Sequence, residues 1–197
     1  CQNIILACKR FIAFLQRDDM YFDIEEVEKT IRFFGKFKHF TGQYNRHSFT
    51  LQEWQKFMLC GIYGFKWKKD DTRVTRTFIL SVSRKQGKTS CISIMAIKAH
   101  LEENNAQVIV AANSASQASI LFKMASSYLK SLGGKVDKLF RRFRDRIMFD
   151  KTDSVMRVVS ADASRLDGLN CNFAVVDEIS QAPNSDVYDV LESSMGS

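Results

Sequence analysis

The sequence predicts an α/β fold: a mostly parallel central sheet flanked by helices, preceded by an N-terminal helical appendage. Three observations carry this expectation. From residue 76 onward, apolar runs of strand length alternate with stretches of helical period. The tripeptide Gly87-Lys88-Thr89 stands between one such run and one such stretch, and the first 34 residues carry helical spacing alone. Buried strands that alternate with helices call for a parallel sheet covered on both faces. The chain has 197 residues, 45% hydrophobic and 26% charged with a single proline, which is the composition of a folded domain. That length holds one core, with room for a short helical addition.

Taken in order, Ile4, Ile5, Cys8, Phe11, Ile12 and Leu15, then Val27, Ile31 and Phe34, recur at helical spacing with a break between Arg17 and Phe22. Two helices packed on the core follow. A loop rich in Gly, His, Asn and Thr spans 35–50, and LQEWQKFMLCGIYGF after it suits a helix that ends near Gly61 or Gly64. Residues 77–82 read as a buried strand, 88–103 as a helix, 107–112 as a second buried strand, and 116–131 as a helix closed by Gly133 and Gly134. Short strands are expected at 146–149, 155–160 and 172–176, and a helix at 185–194. No repeat or low-complexity linker interrupts the chain, so the expected organisation is an appendage at 1–48 and a core at 49–197.

Composition narrows the function classes. No stretch approaches the roughly 20 apolar residues of a bilayer span, and no charged leader with an apolar run and a small-residue cleavage site opens the sequence. A cytosolic setting is the default. The five cysteines are scattered without a C-x-x-C pair, and the three histidines keep no metal-ligand spacing with them, so idle thiols in a reducing compartment are expected. The net charge of +7 favours an anionic partner, nucleic acid first, although charge alone also fits basic proteins that bind none.

The chemistry concentrates in TFILSVSRKQGKTS, residues 77–90. Of the phosphate-loop pattern G-x-x-x-x-G-K-[ST], the last three positions are met by Gly87, Lys88 and Thr89, while Val82 replaces the first glycine. Gly87 lets the backbone turn its amides inward, and the helix start adds roughly half a positive charge. Lys88 can reach the β and γ phosphates and Thr89 can ligate Mg2+. The tripeptide by itself would be a fair candidate for chance. Its apolar run before and amphipathic helix after decide for the motif, making Ser83, Arg84, Lys85, Gln86, Gly87, Lys88, Thr89 and Ser90 the expected triphosphate cradle.

A triphosphatase also needs a carboxylate for the metal shell and a base for the attacking water. FAVVDE at 173–178 offers both. Its apolar run ends in Asp177, at the strand edge where ligands of α/β sheets bind, and Glu178 beside it is the natural general base.

These residues resemble a known family. SRKQGKTS, with an arginine three positions before the loop glycine and no first glycine, FAVVDEIS, FTLQEWQKFMLCGIYGF, SADASRLDGLN and AANSASQASILFKMA are together similar to the ATPase domain of the large terminase subunit of tailed phages and herpes-type viruses. The resemblance implies a P-loop NTPase of the ASCE type that uses ATP and Mg2+ to package DNA. It implies double-stranded DNA, a portal protein on a procapsid and a terminase small subunit as partners. It also implies a homo-oligomeric ring on the capsid and the cytoplasm of an infected, bacterial host cell. Gln55 corresponds to a glutamine that reads the adenine edge, with Trp54 or Phe49 packing nearby; the plain alternative is a solvent-facing glutamine on an amphipathic helix. Arg84 corresponds to a loop arginine at the γ phosphate. Arg165 corresponds to an arginine inserted into the neighbouring subunit's site, or is a loop arginine that binds nothing.

DNA contact is less well placed by the sequence. Lys135, Lys138, Arg141, Arg142, Arg144 and Arg146 stand against Asp137 and Asp145, and Lys66, Trp67, Lys68 and Lys69 form a second basic cluster. Each cluster has two readings, a grip on phosphates and a solvated charged face. The family's coupling strand and nuclease domain are expected beyond Ser197, so the core reads as truncated at its C-terminal end. A helicase-type ATPase and a nucleotide-binding assembly module without turnover are the competing readings; the missing G-x-G-K-[ST] pattern counts against the first and Glu178 against the second.

Overall fold

The computed structural model describes residues 2–40, 45–112, 115–160, 170–179 and 184–195. They form two compact units interleaved along the chain: Cys1–Lys36 with Ser48–Val82, and Phe37–His47 with Ser83–Ser197.

In the first unit the N-terminal periodicity gives α1 (Gln2–Leu15) and α2 (Ile24–Phe34), and the break between them is used as strand β1 (Met20–Phe22). Asp23 starts α2 by accepting a hydrogen bond from the Glu26 amide. Helix α3 (Glu53–Leu59) runs into a wider π-type turn at Cys60–Gly64, and then β2 (Phe65–Trp67) pairs antiparallel with β1. Phe11, Phe14 and Phe22 meet Phe65 edge-on at 4.9 to 5.3 Å between ring centres, which sews α1 to this small ladder. Gly64 is required at the corner because a Cβ there would run into the Phe22 ring.

The expected strand at 77–82 does not form. The segment has no ladder partner among the described residues, and Ile79 is 80% exposed. An apolar run becomes a strand only when a neighbour takes its N–H and C=O groups, and none of the described strands does so.

The second unit carries α4 (Lys88–Glu102), β3 (Gln107–Ala112), α5 (Ala115–Ser131), a single turn α6 (Gly134–Asp137), β4 (Phe140–Arg142), β5 (Arg146–Phe149), β6 (Ser154–Ser160), β7 (Phe173–Asp177) and α7 (Asp186–Ser194). The strand order is β4-β5-β6-β3-β7. The sheet is mixed. Strand β3 lies parallel to both β6 and β7, whereas β4, β5 and β6 pair antiparallel. Alternation along the strands splits the core in two. Ile109, Ala111, Val159, Ala174 and Val176 pack under Val187 and Leu191 of α7. Val108, Val110, Ile147 and Met156 point the other way and are fully buried on the side of α4 and α5.

His100, in the last turn of α4, is fully buried near the rings of Phe140 and Phe149, and neither ring nitrogen has a hydrogen-bond partner among the described residues. Burial lowers its pKa from 6.5 to about 4. Between those values the unfolded chain takes a proton that the folded chain refuses, so stability falls as pH drops from 6.5 towards 4. The loss is about 2 kcal/mol at roughly pH 5. His100→Leu is expected to remove this slope without destabilising at neutral pH, since no hydrogen bond is lost. Urea titrations of both proteins at neutral and mildly acid pH check it.

Candidate functional site

At the phosphate-loop sequence the helix starts where the spacing expects it, although residues 77–82 ahead of it form no strand. Gly87 sits in the left-handed region at φ 77°, ψ 15°, and caps α4, with the Cys91 amide donating to its carbonyl at 3.0 Å. Lys85 is also left-handed, at φ 64°, a conformation that costs a non-glycine residue about 1 kcal/mol and that builds anion-holding backbone concavities. Ser83, Arg84, Lys85, Gln86 and Gly87 are exposed, while Lys88, Thr89 and Ser90 are half-buried. Ser93 anchors the first turn from below, its hydroxyl donating to the Thr89 carbonyl at 2.7 Å. Cys91 follows immediately but is fully buried, and burial pushes its thiol pKa up to about 12, so it offers no nucleophile to the site.

Strand β7 delivers the acidic pair. It ends at Asp177, in register with Ala112 at the end of β3, so both strands present their carboxyl ends together. Lys88 Nζ donates to Asp177 Oδ1 at 2.7 Å, with side-chain exposures of 30% and 15%. The same oxygen accepts the Glu178 amide at 3.0 Å, and Glu178 is itself left-handed at φ 55°. This turn aims Glu178 at α5, where Gln117 Nε2 donates to Glu178 Oε2 at 2.5 Å.

The loop lysine and the strand-end carboxylate are therefore joined, and the second carboxylate stands beside them on its own support. An ammonium on Asp177 is a stand-in for the cation that a phosphate-bound metal would supply, so the donor set fits Mg2+. Thr89 and Asp177 are the residues that would hold it. Among the described residues no cluster of three His, Cys, Asp or Glu could cage a metal. Magnesium in triphosphate sites needs no such cage, because phosphates and water complete its shell.

Gln117 was not singled out from the sequence. The signal available was its place in the first turns of the helix after β3, beside the strand-end crevice. Gln55 lies in the other unit, on α3, and is 3% exposed. Its Oε1 accepts the Gln52 amide at 2.9 Å in a capping box, so the solvent-facing alternative does not hold. Phe49 is buried against Phe34, and Trp54 is half-buried. Arg165 lies outside the described residues.

The two basic clusters differ in character. Lys66 is spent on Asp23 at 2.8 Å and sits in the β1–β2 ladder. Arg141 pairs with Asp150 at 2.7 Å and Arg142 with Asp137, whereas Arg144 and Arg146 are exposed on the β4–β5 hairpin. The described helices include none long and apolar enough to cross a membrane.

Residues 53–197 match the sequence profile of the family described as terminase large subunit, ATPase domain. Among solved structures, the large terminase of bacteriophage HK97 is similar at a TM-score of 0.70 and 26% identity, over 86% of this chain and 35% of its own. The ATPase domain of the Thermus phage P74-26 large terminase aligns at a TM-score of 0.48 and 20% identity, over 57% of this chain and 51% of its own. No curated protein sequence matches. The chain thus spans about a third of the length of the HK97 protein.

Proposed function

The chain belongs to the family of terminase large subunit ATPase domains, and from that premise we propose that it hydrolyses ATP to drive double-stranded viral DNA into a procapsid. The observation that carries the reading is the 2.7 Å pairing of Lys88 with Asp177, with Glu178 next in sequence and held by Gln117. It supports the reading by bringing the loop lysine, the strand-end carboxylate and the carboxylate next to it within reach of one another.

In this reading the loop from Ser83 to Ser90 wraps the β and γ phosphates, and Lys88 leaves Asp177 to meet them. Magnesium, held by Thr89 and Asp177, would neutralise charge on the phosphate oxygens. Glu178 accepts a proton from the water that attacks the γ phosphorus, and Gln117 keeps its carboxylate oriented. Arg84, exposed on the loop, stabilises charge on the γ phosphate. Gln55 reads the adenine edge, and Arg165 completes a neighbouring subunit's site in a ring, where such a finger contributes about 10³ to 10⁵ in rate. Residues 1–48 are taken as an appendage and 49–197 as the motor core, a division that follows the family match and not the two compact units, in which Ser48–Val82 belong with Cys1–Lys36. The partners are the duplex, the portal of the procapsid and the terminase small subunit, met in the cytoplasm of an infected bacterial cell.

The test is ATP turnover by the full-length protein with duplex DNA, with and without empty capsids. A packaging motor turns over and translocates only with the capsid present. Strand unwinding without one would instead identify a helicase.

A further inference from the structure

Helix α7 covers only part of its face of the sheet. It lies over Ile109, Ala111, Val159, Ala174 and Val176, on β3, β7 and the end of β6. The same face continues outward across β6, β5 and β4 with Arg157, Arg146 and Arg141, all exposed. Arg146 and Arg157 are direct antiparallel partners in the ladder. Like charges directly opposite on neighbouring strands repel. Neither arginine makes an ion pair with a described residue. Asp150 is engaged by Arg141, and Asp145, which precedes Arg146 in the turn, makes no ion pair with a described residue. Arg146 is held in place, its guanidinium 4.9 Å from the centre of the Phe143 ring. Arg144 adds a further exposed charge at the tip of the hairpin.

We infer that this exposed face, with Arg146 and Arg157 at its centre and Arg144 at its edge, grips the phosphate backbone of duplex DNA. The inference rests on the motor reading above and names the surface that meets its substrate. A fold that keeps two unneutralised arginines in register stores a repulsion that a polyanion relieves, and duplex DNA carries one charge per about 1.7 Å of its axis. The surface suits phosphates better than an acidic protein. Its charges are exposed guanidinium groups, which meet phosphate oxygens through paired N–H donors, and a grip of this kind reads no bases.

The experiment measures binding of a labelled, mixed-sequence duplex to the full-length protein over a salt series, for wild type and for Arg146→Gln with Arg157→Gln. The double variant is expected to bind roughly tenfold more weakly at low salt, with the slope of log K against log salt reduced by about 1.8, or about 0.9 for each lost contact. Its ATP affinity should be unchanged, which shows that it is folded. Arg157→Gln alone should raise the melting temperature without DNA, because it removes the repulsion. A double variant that binds the duplex with wild-type affinity and slope overturns this surface while leaving the motor reading intact. A wild-type protein that ignores the duplex but captures an acidic protein of the capsid overturns the surface and the DNA part of that reading together.

Discussion

Lys88→Ala is expected to weaken ATP binding by roughly 100-fold or more and to abolish turnover. The size follows from what Lys88 does in the structure. Its ammonium is part-buried and engaged by Asp177 at 2.7 Å, on the first residue of α4 behind a left-handed Gly87. Removing one member of a desolvated, hydrogen-bonded charge pair costs about 3 kcal/mol, because the remaining charge is left without its partner. The phosphates would lose their cation as ATP arrives, and Asp177, 15% exposed, would lose its own before that. The variant should therefore also melt somewhat lower in the absence of nucleotide. Calorimetric titration with ATP and Mg2+ measures the first effect and a thermal melt the second. Wild-type affinity in the variant would remove the loop from the nucleotide site.

Glu178→Gln is expected to act on the other side of the cycle: ATP affinity preserved, turnover reduced by about 10² to 10⁴, the contribution of a positioned general base. The amide keeps the shape of the side chain and can still meet Gln117, but it cannot take the proton of the attacking water. The contact between Gln117 and Glu178 sharpens the expectation. Gln117 touches the base rather than the substrate, so Gln117→Ala should lower kcat by less than the Glu178 variant does and leave KM near wild type. Equal turnover in wild type and Glu178→Gln would dismiss Glu178 as the base.

Most of this site could be read from the sequence because it is local. The helix expected at 88–103 runs from Lys88 to Glu102, the strand expected at 107–112 is Gln107–Ala112, and FAVVDE ends its strand at Asp177. In each case burial of a continuous run or of one helix face decides the outcome, and a window of the sequence contains the whole signal. What could not be read depends on partners distant in the chain. Residues 77–82 have the apolar character of a buried strand, yet no described strand lies beside them, and hydrogen-bonding neighbours are not encoded in the run itself. Strands β1 and β2 are three residues each and exist through one another across more than forty positions. Strand β4 was hidden in a basic stretch whose charge pattern masks its single buried position, Phe140. The meeting of Arg146 with Arg157 and that of Gln117 with Glu178 arise only from the register of the sheet and the packing of α5. Gln55 fails the amphipathic reading for a nearer reason: its amide turns back to cap its own helix.

In the proposed cycle the loop and the strand end form one nucleotide site, closed on itself by the Lys88–Asp177 pair until phosphates arrive. The most direct measurement is a crystal structure of the protein with Mg2+ and a non-hydrolysable ATP analogue. The pair is expected to separate, with Lys88 Nζ on the β and γ phosphates, Thr89 and Asp177 at the metal, and Glu178 facing the γ phosphate. An analogue bound elsewhere, or one bound while Lys88 remains on Asp177, would contradict the proposed cycle.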